Sequence, residues 1–303
     1  MTWRQLMTQA REDLLQAGIE EYESDVRVLA MHVLGCSYSD LILRSMEEAT
    51  EEEERFFGHC ISVRATHMPC QYITGTQDFM GYCFRSEPEV LIPRPETELL
   101  VETALGLVEG VTVSKAIEEI EGKQERACKA LDLCCGSGCI GISFRLKRME
   151  QGFERDEVTL ADISDAAIRV SKDNNESLQA GCRVVKTDLF EKLHDRYDII
   201  MSNPPYIPTA DIADLMPDVR DFEPHLALDG KEDGLYFYDR IIKEAGNYLY
   251  DGGYLVFEIG YDQYEAVRER LFAAGYMDIS LKKDYAGLDR IVIARYDREC
   301  KRG

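Results

Sequence analysis

The sequence predicts an α/β fold, a mostly parallel sheet with helices on both faces, preceded by a small helical domain. Three observations carry that prediction. Beyond residue 127, apolar strand patterns alternate with helical patterns, as in a parallel sheet covered on both sides. The first of those strands, Ala130-Leu131-Asp132-Leu133, runs into a turn holding Gly136 and Gly138 and then into a helix. The first 70 or so residues instead carry helix starts and stops.

Taken in order, Thr2-Trp3-Arg4-Gln5 is a capping-box pattern that opens a helix ending near Gly18. Ser24 is placed to cap a second helix through Leu34, stopped by Gly35. Thr50 opens another that runs to about Thr66, with the acidic run Glu51 to Glu54 favourably sited at its N-terminus. Tyr72-Ile73-Thr74 and the stretch from Phe79 to Phe84 are β-formers separated by Gly75 and Gly81. A helical domain over residues 1–70, a linking hairpin over 71–90 and a larger domain over 91–303 are therefore expected. Ile92-Pro93-Arg94-Pro95-Glu96-Thr97-Glu98 leads into a helix through about Val108, and the polar stretch 114–126 reads as a surface insertion. Strands are expected near 129–134, 158–161, 183–186, 197–201, 254–259, 277–283 and 290–295. Helices fall at about 139–149, 165–179, 235–248 and 263–273. The last two strands have no helix between them and should make an antiparallel hairpin at one edge.

A net charge of −22 disfavours broad nucleic-acid binding unless a local basic patch exists, and the candidates, Lys282-Lys283 and Arg145 with Lys147-Arg148, are short. An acidic surface suits a basic protein partner, and serves solubility equally well. No apolar run approaches the roughly 18 residues that span a bilayer. The N-terminus lacks a secretory pattern, so no membrane association and a cytoplasmic location are expected. Cys128, Cys134, Cys135, Cys139 and Cys182 fall in expected core elements, where a free thiol acts as a small hydrophobe. His59, Cys60, His67 and Cys70 cluster in sequence but match no closed zinc pattern, and no metal is expected.

Glycines in the turn after Asp132 let the backbone approach a ligand, and the helix start beyond offers free N–H donors. Gly136, Gly138 and Gly141 also satisfy a dinucleotide-binding spacing, which keeps a nicotinamide or flavin enzyme open at this point. Asp162, about twenty residues beyond the glycines, ends the second strand and can hold ribose hydroxyls. Asp188 ends the third and can read an adenine amine, with Leu189 or Phe190 against the ring. The bland alternative for both acids is helix capping. The fourth strand ends in Asn203-Pro204-Pro205-Tyr206. An Asn carboxamide offers an acceptor beside two donors, and two prolines stiffen the backbone around it. With the flat face of Tyr206, this makes a cradle for a planar NH2 group, such as an amide or a base amine.

The ordered set Asp132, Gly136-Ser137-Gly138, Asp162, Asp188 and Asn203-Pro204-Pro205-Tyr206 resembles the class I S-adenosylmethionine-dependent methyltransferases. The dinucleotide enzymes have no use for the tetrapeptide. Within the class the chain is similar to the peptide chain release factor glutamine methyltransferases. These share Pro93-Arg94-Pro95-Glu96-Thr97-Glu98, the stretch from Phe222 to Leu235 with Gly230 and Gly234, and Lys283-Asp284-Tyr285-Ala286-Gly287 with Arg290. The resemblance covers nearly the whole chain. It implies a Rossmann-like, seven-stranded, mostly parallel sheet with an antiparallel edge strand.

The resemblance also implies S-adenosylmethionine as cofactor, held by Asp132, Cys134, Cys135, Gly136, Ser137, Gly138, Asp162, Asp188, Leu189 and Asn203. Asn203, Pro204, Pro205 and Tyr206 would bind the substrate, with Asn203, Pro204 and Tyr206 at the chemistry. Two positions depart from the family. Cys134 replaces the first turn glycine, although Cys takes positive φ only at a cost. Leu189 replaces an aromatic beside the adenine. The implied reaction methylates the side-chain amide nitrogen of the Gln in the Gly-Gly-Gln motif of release factors. The alternatives are an exocyclic amine of DNA or RNA, a Gln of a ribosomal protein, or a non-catalytic binding role. A monomer is expected, with the helical domain recognising the factor. Arg94, Glu223 and Arg290 are candidates for substrate contact or for internal ion pairs; His225 and Tyr285 are expected to be structural.

Overall fold

Helix α1 (Trp3–Gln16) starts where the Thr2 hydroxyl accepts from the Gln5 N–H and the Gln5 side chain returns the bond to Thr2. Such a reciprocal cap contributes about 1 kcal/mol. The same device opens α3 (Tyr38–Arg44) from Ser37 and Asp40, and α4 (Glu51–Arg64) from Thr50 and Glu53. Helix α2 (Tyr22–Leu34) ends on Gly35 in the left-handed conformation, but begins two residues ahead of Ser24. Ser24 therefore lies inside the helix and donates back to the Glu21 carbonyl at 3.0 Å rather than capping. Tyr72-Ile73-Thr74, expected as strand, is part of helix α5 (Cys70–Thr74), stopped by Gly75 at φ 76°. Cys70 and Ile73 join the helical core there, and tertiary packing outweighs their β-propensity.

The structure is a computed structural model that describes residues 1–108 and 127–298; the insertion expected at 114–126 lies outside them. Two compact units divide the chain: Met1–Thr76 with Leu215–Phe222, and Gln77–Asp214 with Glu223–Gly303. In the first, Trp3 is wholly buried and meets Phe57 edge-on at 5.4 Å. The Arg64 guanidinium, also buried, bridges Asp25 and Asp218, each at 2.7 Å. A buried ion of this kind is tolerated only because both partners are present. Arg64 and Asp25 come from α4 and α2, while Asp218 comes from the returning segment.

The hairpin is β1 (Thr76–Phe79) and β2 (Tyr82–Arg85), joined through Met80 and Gly81 at φ 54° and 83°, the geometry of a tight two-residue turn. Residues 98–108 form helix α6. Then come β3 (Lys129–Leu133), α7 (Cys139–Glu150), β4 (Glu157–Asp162), α8 (Asp165–Ser177), β5 (Arg183–Lys186) and β6 (Tyr197–Ser202). Two short helices follow that the sequence did not announce, α9 (Pro217–Phe222) and α10 (His225–Leu228). The chain closes with α11 (Tyr236–Ala245), β7 (Leu249–Glu258), α12 (Tyr264–Ala273), β8 (Tyr276–Lys283) and β9 (Asp289–Tyr296).

Seven strands pair in the order β5-β4-β3-β6-β7-β9-β8. All neighbouring pairs through β7 are parallel, and β9 runs antiparallel between β7 and β8. The final hairpin thus forms the edge as expected, with its second strand inserted against β7. Alternate residues serve opposite faces: Leu131 and Leu133 pack with α11 and α12, whereas Ala130 packs with α6, α7 and the hairpin's Phe79 and Phe84. The strand order reverses at β3, with β4 on one side and β6 on the other, so the switch point lies at the carboxyl ends of β3 and β6. That is the position where open α/β sheets bind ligands.

Candidate active site

A cavity of about 780 Å³ opens at the carboxyl ends of β3, β4, β5 and β6. It lies within the size range of small-molecule and cofactor sites. Its floor is the turn after β3. Cys134 takes φ 62°, Gly136 53° and Gly138 81°. The left-handed conformation costs a residue with a Cβ roughly 1–2 kcal/mol, so Cys134 stores strain where the family pattern has glycine. The turn is held from both sides. The Cys135 N–H donates to the Ala161 carbonyl at 3.1 Å, and the Gly138 N–H donates to Cys135 at 2.7 Å. A Cβ on Gly138 would come within 2.9 Å of Ile142 Cδ1, and one on Gly141 within 2.3 Å of Leu160 Cδ2. Both glycines therefore let α7 start close against β3 and β4.

Asp162 ends β4 on the cavity wall. Its Oδ2 accepts from the Gly136 N–H and its Oδ1 from the Ser164 N–H, each at 2.9 Å. A carboxylate has about four acceptor positions, so two remain for ligand hydroxyls. Burial pushes the group up, and those backbone bonds oppose it. Asp188 also lies on the wall, with Oδ1 3.0 Å from Arg240 Nη1, a partner that the sequence did not reveal. Leu189 and Ile163 supply apolar surface on either side, and Leu189 too is held at positive φ, 45°. Cys134, Cys135, Gly136 and Ser137 reach the wall; Asp132 does not. It is fully buried beneath the turn, where Oδ2 accepts from the Gly141 N–H at 2.8 Å and Oδ1 has no hydrogen-bond partner among the described residues. Burial, only partly offset by the Gly141 bond, raises Asp132 to about 7.

The tetrapeptide after β6 occupies the opposite side. Asn203 and Pro205 line the cavity, while Pro204 and Tyr206 are set back from it. Asn203 Nδ2 donates to Thr97 Oγ1 at 3.5 Å, a long bond of the kind that tightens on ligand binding. The Tyr206 carbonyl accepts from Gln263 Nε2 at 2.9 Å, and desolvation pushes its phenol up to about 12. Beyond it, the Ile207 N–H donates to the Leu228 carbonyl at 3.0 Å, and the Gly230 N–H donates back to Ile207 at 2.8 Å. Gly230 and Gly234 press on the Tyr206 backbone so closely that a Cβ on either would sit 2.8 Å or less from it. The second unit thus clamps the tetrapeptide on its outer side with backbone alone.

Of the flanking candidates, Arg94 pairs with buried Glu223 at 2.5 Å, and Arg290 donates to Asp284 and to the Ile259 carbonyl. His225 lies on the cavity wall. Tyr285, expected to be structural, is 96% exposed and so contributes nothing to the core; Asp284 holds its turn by accepting from the Ala286 and Leu288 N–H groups. Sequence reasoning missed Thr97 on the wall and Glu258 behind it. Glu258 carries the same signal as Asp162, a carboxylate at the carboxyl end of a strand.

An acid with spare acceptors at the end of β4, a glycine-supported turn, apolar walls and an Asn-Pro-Pro-Tyr cradle all suit an adenosine sulfonium cofactor. The fold and site together define a class I S-adenosylmethionine-dependent methyltransferase domain. A family model described as methyltransferase small domain matches residues 116–216, and one described as PrmC N-terminal domain matches residues 5–75. The release factor glutamine methyltransferase of Clostridium botulinum is 38% identical over 97% of this chain and 99% of its own, and that of Bordetella pertussis 38% identical over 94% and 98%. The chain belongs to the release factor glutamine methyltransferase family. The crystal structure of the hMettl16 catalytic domain in complex with MAT2A 3′UTR hairpin 6 shares the fold, with a TM-score of 0.54 at 18% identity over 77% of this chain and 82% of that one.

Proposed function

We propose that the chain transfers a methyl group from S-adenosylmethionine to the side-chain amide nitrogen of the Gln in the Gly-Gly-Gln motif of peptide chain release factors. The observation that carries this reading is the placement of Asn203. Its carboxamide edges the cavity with Nδ2 turned to Thr97, which leaves Oδ1 as an acceptor for a guest NH2. An amide nitrogen is a poor nucleophile because its lone pair is delocalised into the carbonyl. Asn203 Oδ1 and the Pro204 carbonyl accept its two N–H bonds and hold it in line for attack. They also favour the positive charge that builds on nitrogen as the N–C bond forms. Orientation and charge stabilisation of this kind supply several kcal/mol.

S-adenosylmethionine supplies an electrophilic methyl whose bond to sulfur breaks in the transfer. Cys134, Cys135, Gly136 and Ser137, in the turn that Gly138 completes, would form its floor, Asp162 would take its ribose hydroxyls, and Asp188 and Leu189 would meet its adenine. Asp132 supports this floor from beneath. Pro205 stiffens the cradle and Tyr206 backs it. The proton shed by nitrogen leaves to water.

A protein substrate fits the charge better than nucleic acid does. Both candidate basic patches are engaged internally: Lys283 with Asp289, Lys282 with Thr103, Lys147 with Glu150 and Arg148 with Asp156. With a net charge of −22, the surface suits a basic factor, and the helical domain at 1–70 is the part that recognises its body. The protein acts as a cytoplasmic monomer; among the described residues no single helix is long and apolar enough to cross a membrane. The test is transfer of labelled methyl to purified release factor. The reading requires label on the wild-type factor and none on its Gln→Ala version; equal labelling of both would sink it.

A further inference from the structure

We propose that Arg240 is a positioning residue for the cofactor's base: it fixes the Asp188 carboxylate so that it accepts from the 6-amino group of adenine and rejects a 6-oxo purine. The proposal rests on the reading above in which Asp188 meets the adenine. Asp188 lies two residues beyond the end of β5, and the backbone around it is tied down. The Thr187 N–H donates to the Asp162 carbonyl at 2.8 Å, and the Glu191 N–H donates to the Asp188 carbonyl at 3.1 Å. Those bonds leave the side chain free to turn. Among the described residues the only cation paired with it is Arg240, whose Nη1 lies 3.0 Å from Oδ1. Both side chains are partly exposed and stand on the wall of the cofactor cavity.

Arg240 is in turn placed by α11. Tyr236 opens that helix, and Arg240, four residues on, lies on the same face. The guanidinium carbon is 5.7 Å from the centroid of the Tyr236 ring, within the range of cation–π attraction. Phe237 meets Tyr236 edge-on at 5.1 Å, and both aromatics line the same cavity. A ring, a guanidinium and a carboxylate thus follow one another along the wall that Leu189 also lines. A partly exposed ion pair adds little to stability by itself. Tyr236 and Arg240 have no part in the methyl transfer either, so their place beside the base-reading acid is what they contribute.

A carboxylate has about four acceptor positions and can rotate about its side-chain torsions. With Oδ1 held by a charge-assisted bond to Arg240, that rotation stops and the remaining acceptors keep one direction. Purines differ at the 6-position and its neighbour. Adenine carries an NH2 donor there beside an N1 acceptor, whereas hypoxanthine carries an oxygen there beside an N1–H donor. A fixed carboxylate aimed at the 6-position gains an N–H bond from adenine and faces lone pairs in hypoxanthine. A carboxylate free to turn can move to the hypoxanthine N1–H and keep a bond. Arg240 therefore sets discrimination between bases, acting through Asp188.

The test is calorimetric binding of S-adenosylhomocysteine and S-inosylhomocysteine, which differ only in the base. Wild type is compared with Arg240→Ala, Arg240→Gln, Tyr236→Ala, Asp188→Asn and the Arg240→Ala, Asp188→Asn double variant, each checked for folding by thermal unfolding. Wild type should bind the adenosyl compound on the order of 10²-fold more tightly, the scale of a bond to a charged group that only one ligand makes. Arg240→Ala and Arg240→Gln should each cut that ratio about tenfold, and Tyr236→Ala about threefold, the scale of a cation–π contact. Asp188→Asn can present either end of its amide, so its ratio should fall to within about threefold of one. Adding Arg240→Ala should then leave the ratio unchanged. A wild-type ratio in Arg240→Ala and Arg240→Gln overturns the proposal, even where both affinities fall together, because an equal loss is what a mere support of the wall gives. So does a tenfold shift on adding Arg240→Ala to Asp188→Asn, since Arg240 would then act without Asp188. Equal binding of both compounds by wild type fails the adenine reading of Asp188 itself, and the proposal with it. Discrimination kept by both Arg240 variants fails only the role given to Arg240.

Discussion

Gly234→Ala should disable the cradle without touching any residue that contacts cofactor or substrate. Gly234 sits at φ 74°, and a Cβ there would lie 2.3 Å from the Tyr206 carbonyl oxygen and 2.7 Å from Gln263 Nε2. Neither neighbour can yield freely, because Gln263 Nε2 donates to that same carbonyl at 2.9 Å. Reaching ordinary contact needs a movement of about 1 Å in the backbone that ends Asn203-Pro204-Pro205-Tyr206. The left-handed backbone adds about 1–2 kcal/mol and overpacking about 1–3 kcal/mol, so stability should fall by about 2–5 kcal/mol. A 1 Å misplacement of a reacting group costs on the order of 10²-fold in rate. Gly252→Ala is the control: its φ is 78°, and nothing lies within 4 Å of the added Cβ. It should lose only the backbone cost and keep its kcat. The assay is kcat for release-factor methylation alongside thermal unfolding. A Gly234→Ala enzyme with kcat within about threefold of wild type would refute the idea that this glycine sets the cradle's position.

Two further substitutions probe the cofactor side. Asp162→Ala removes both the support of the Gly136 N–H and the ribose acceptors, two charge-assisted bonds worth about 1.5–3 kcal/mol each, so cofactor Kd should rise by 10²-fold or more on an order-of-magnitude scale. Calorimetry giving less than about a threefold change would contradict the assignment. Asp132 offers a pH test. Burial raises its folded pKa to about 7 from the ordinary 3.8, so between those values the folded state holds the proton more tightly than the unfolded state. Stability from this group is full below the unfolded value and is lost as pH rises to about 7, by on the order of 4 kcal/mol. Asp132→Asn keeps an acceptor for Gly141 and abolishes the ionisation. Chemical denaturation should show the variant gaining on wild type from about pH 4 to about 7 and level beyond, and parallel curves would contradict the sign.

Four strands of the sheet were legible in the sequence because each carries a polar residue within or just beyond its carboxyl end: Asp132, Asp162, Asp188 and Asn203. Helix starts were legible where a hydroxyl meets Gln or Glu three residues on, as at Thr2 and Thr50. Ser37 has the same device with Asp40 as the partner, a less common pairing, and α3 was missed. Ile73 favours strand intrinsically, yet α5 forms because its neighbours bury it among helices. Short helices such as α9 and α10 lack the turns needed for a periodic signal. The cradle residues were readable as types, but not their division into Asn203 and Pro205 on the wall and Pro204 and Tyr206 behind it. Thr97 and Asn203 are 106 residues apart in sequence, and only the fold brings the hydroxyl to the carboxamide.

The most direct measurement of the central claim is intact-mass analysis of a release factor after incubation with the enzyme and S-adenosylmethionine, followed by peptide mapping. The account predicts a gain of one methyl on the Gln of the Gly-Gly-Gln motif with wild-type enzyme, and none with Asn203→Ala. A methyl mapped to any other residue, or the same gain with Asn203→Ala, would contradict it.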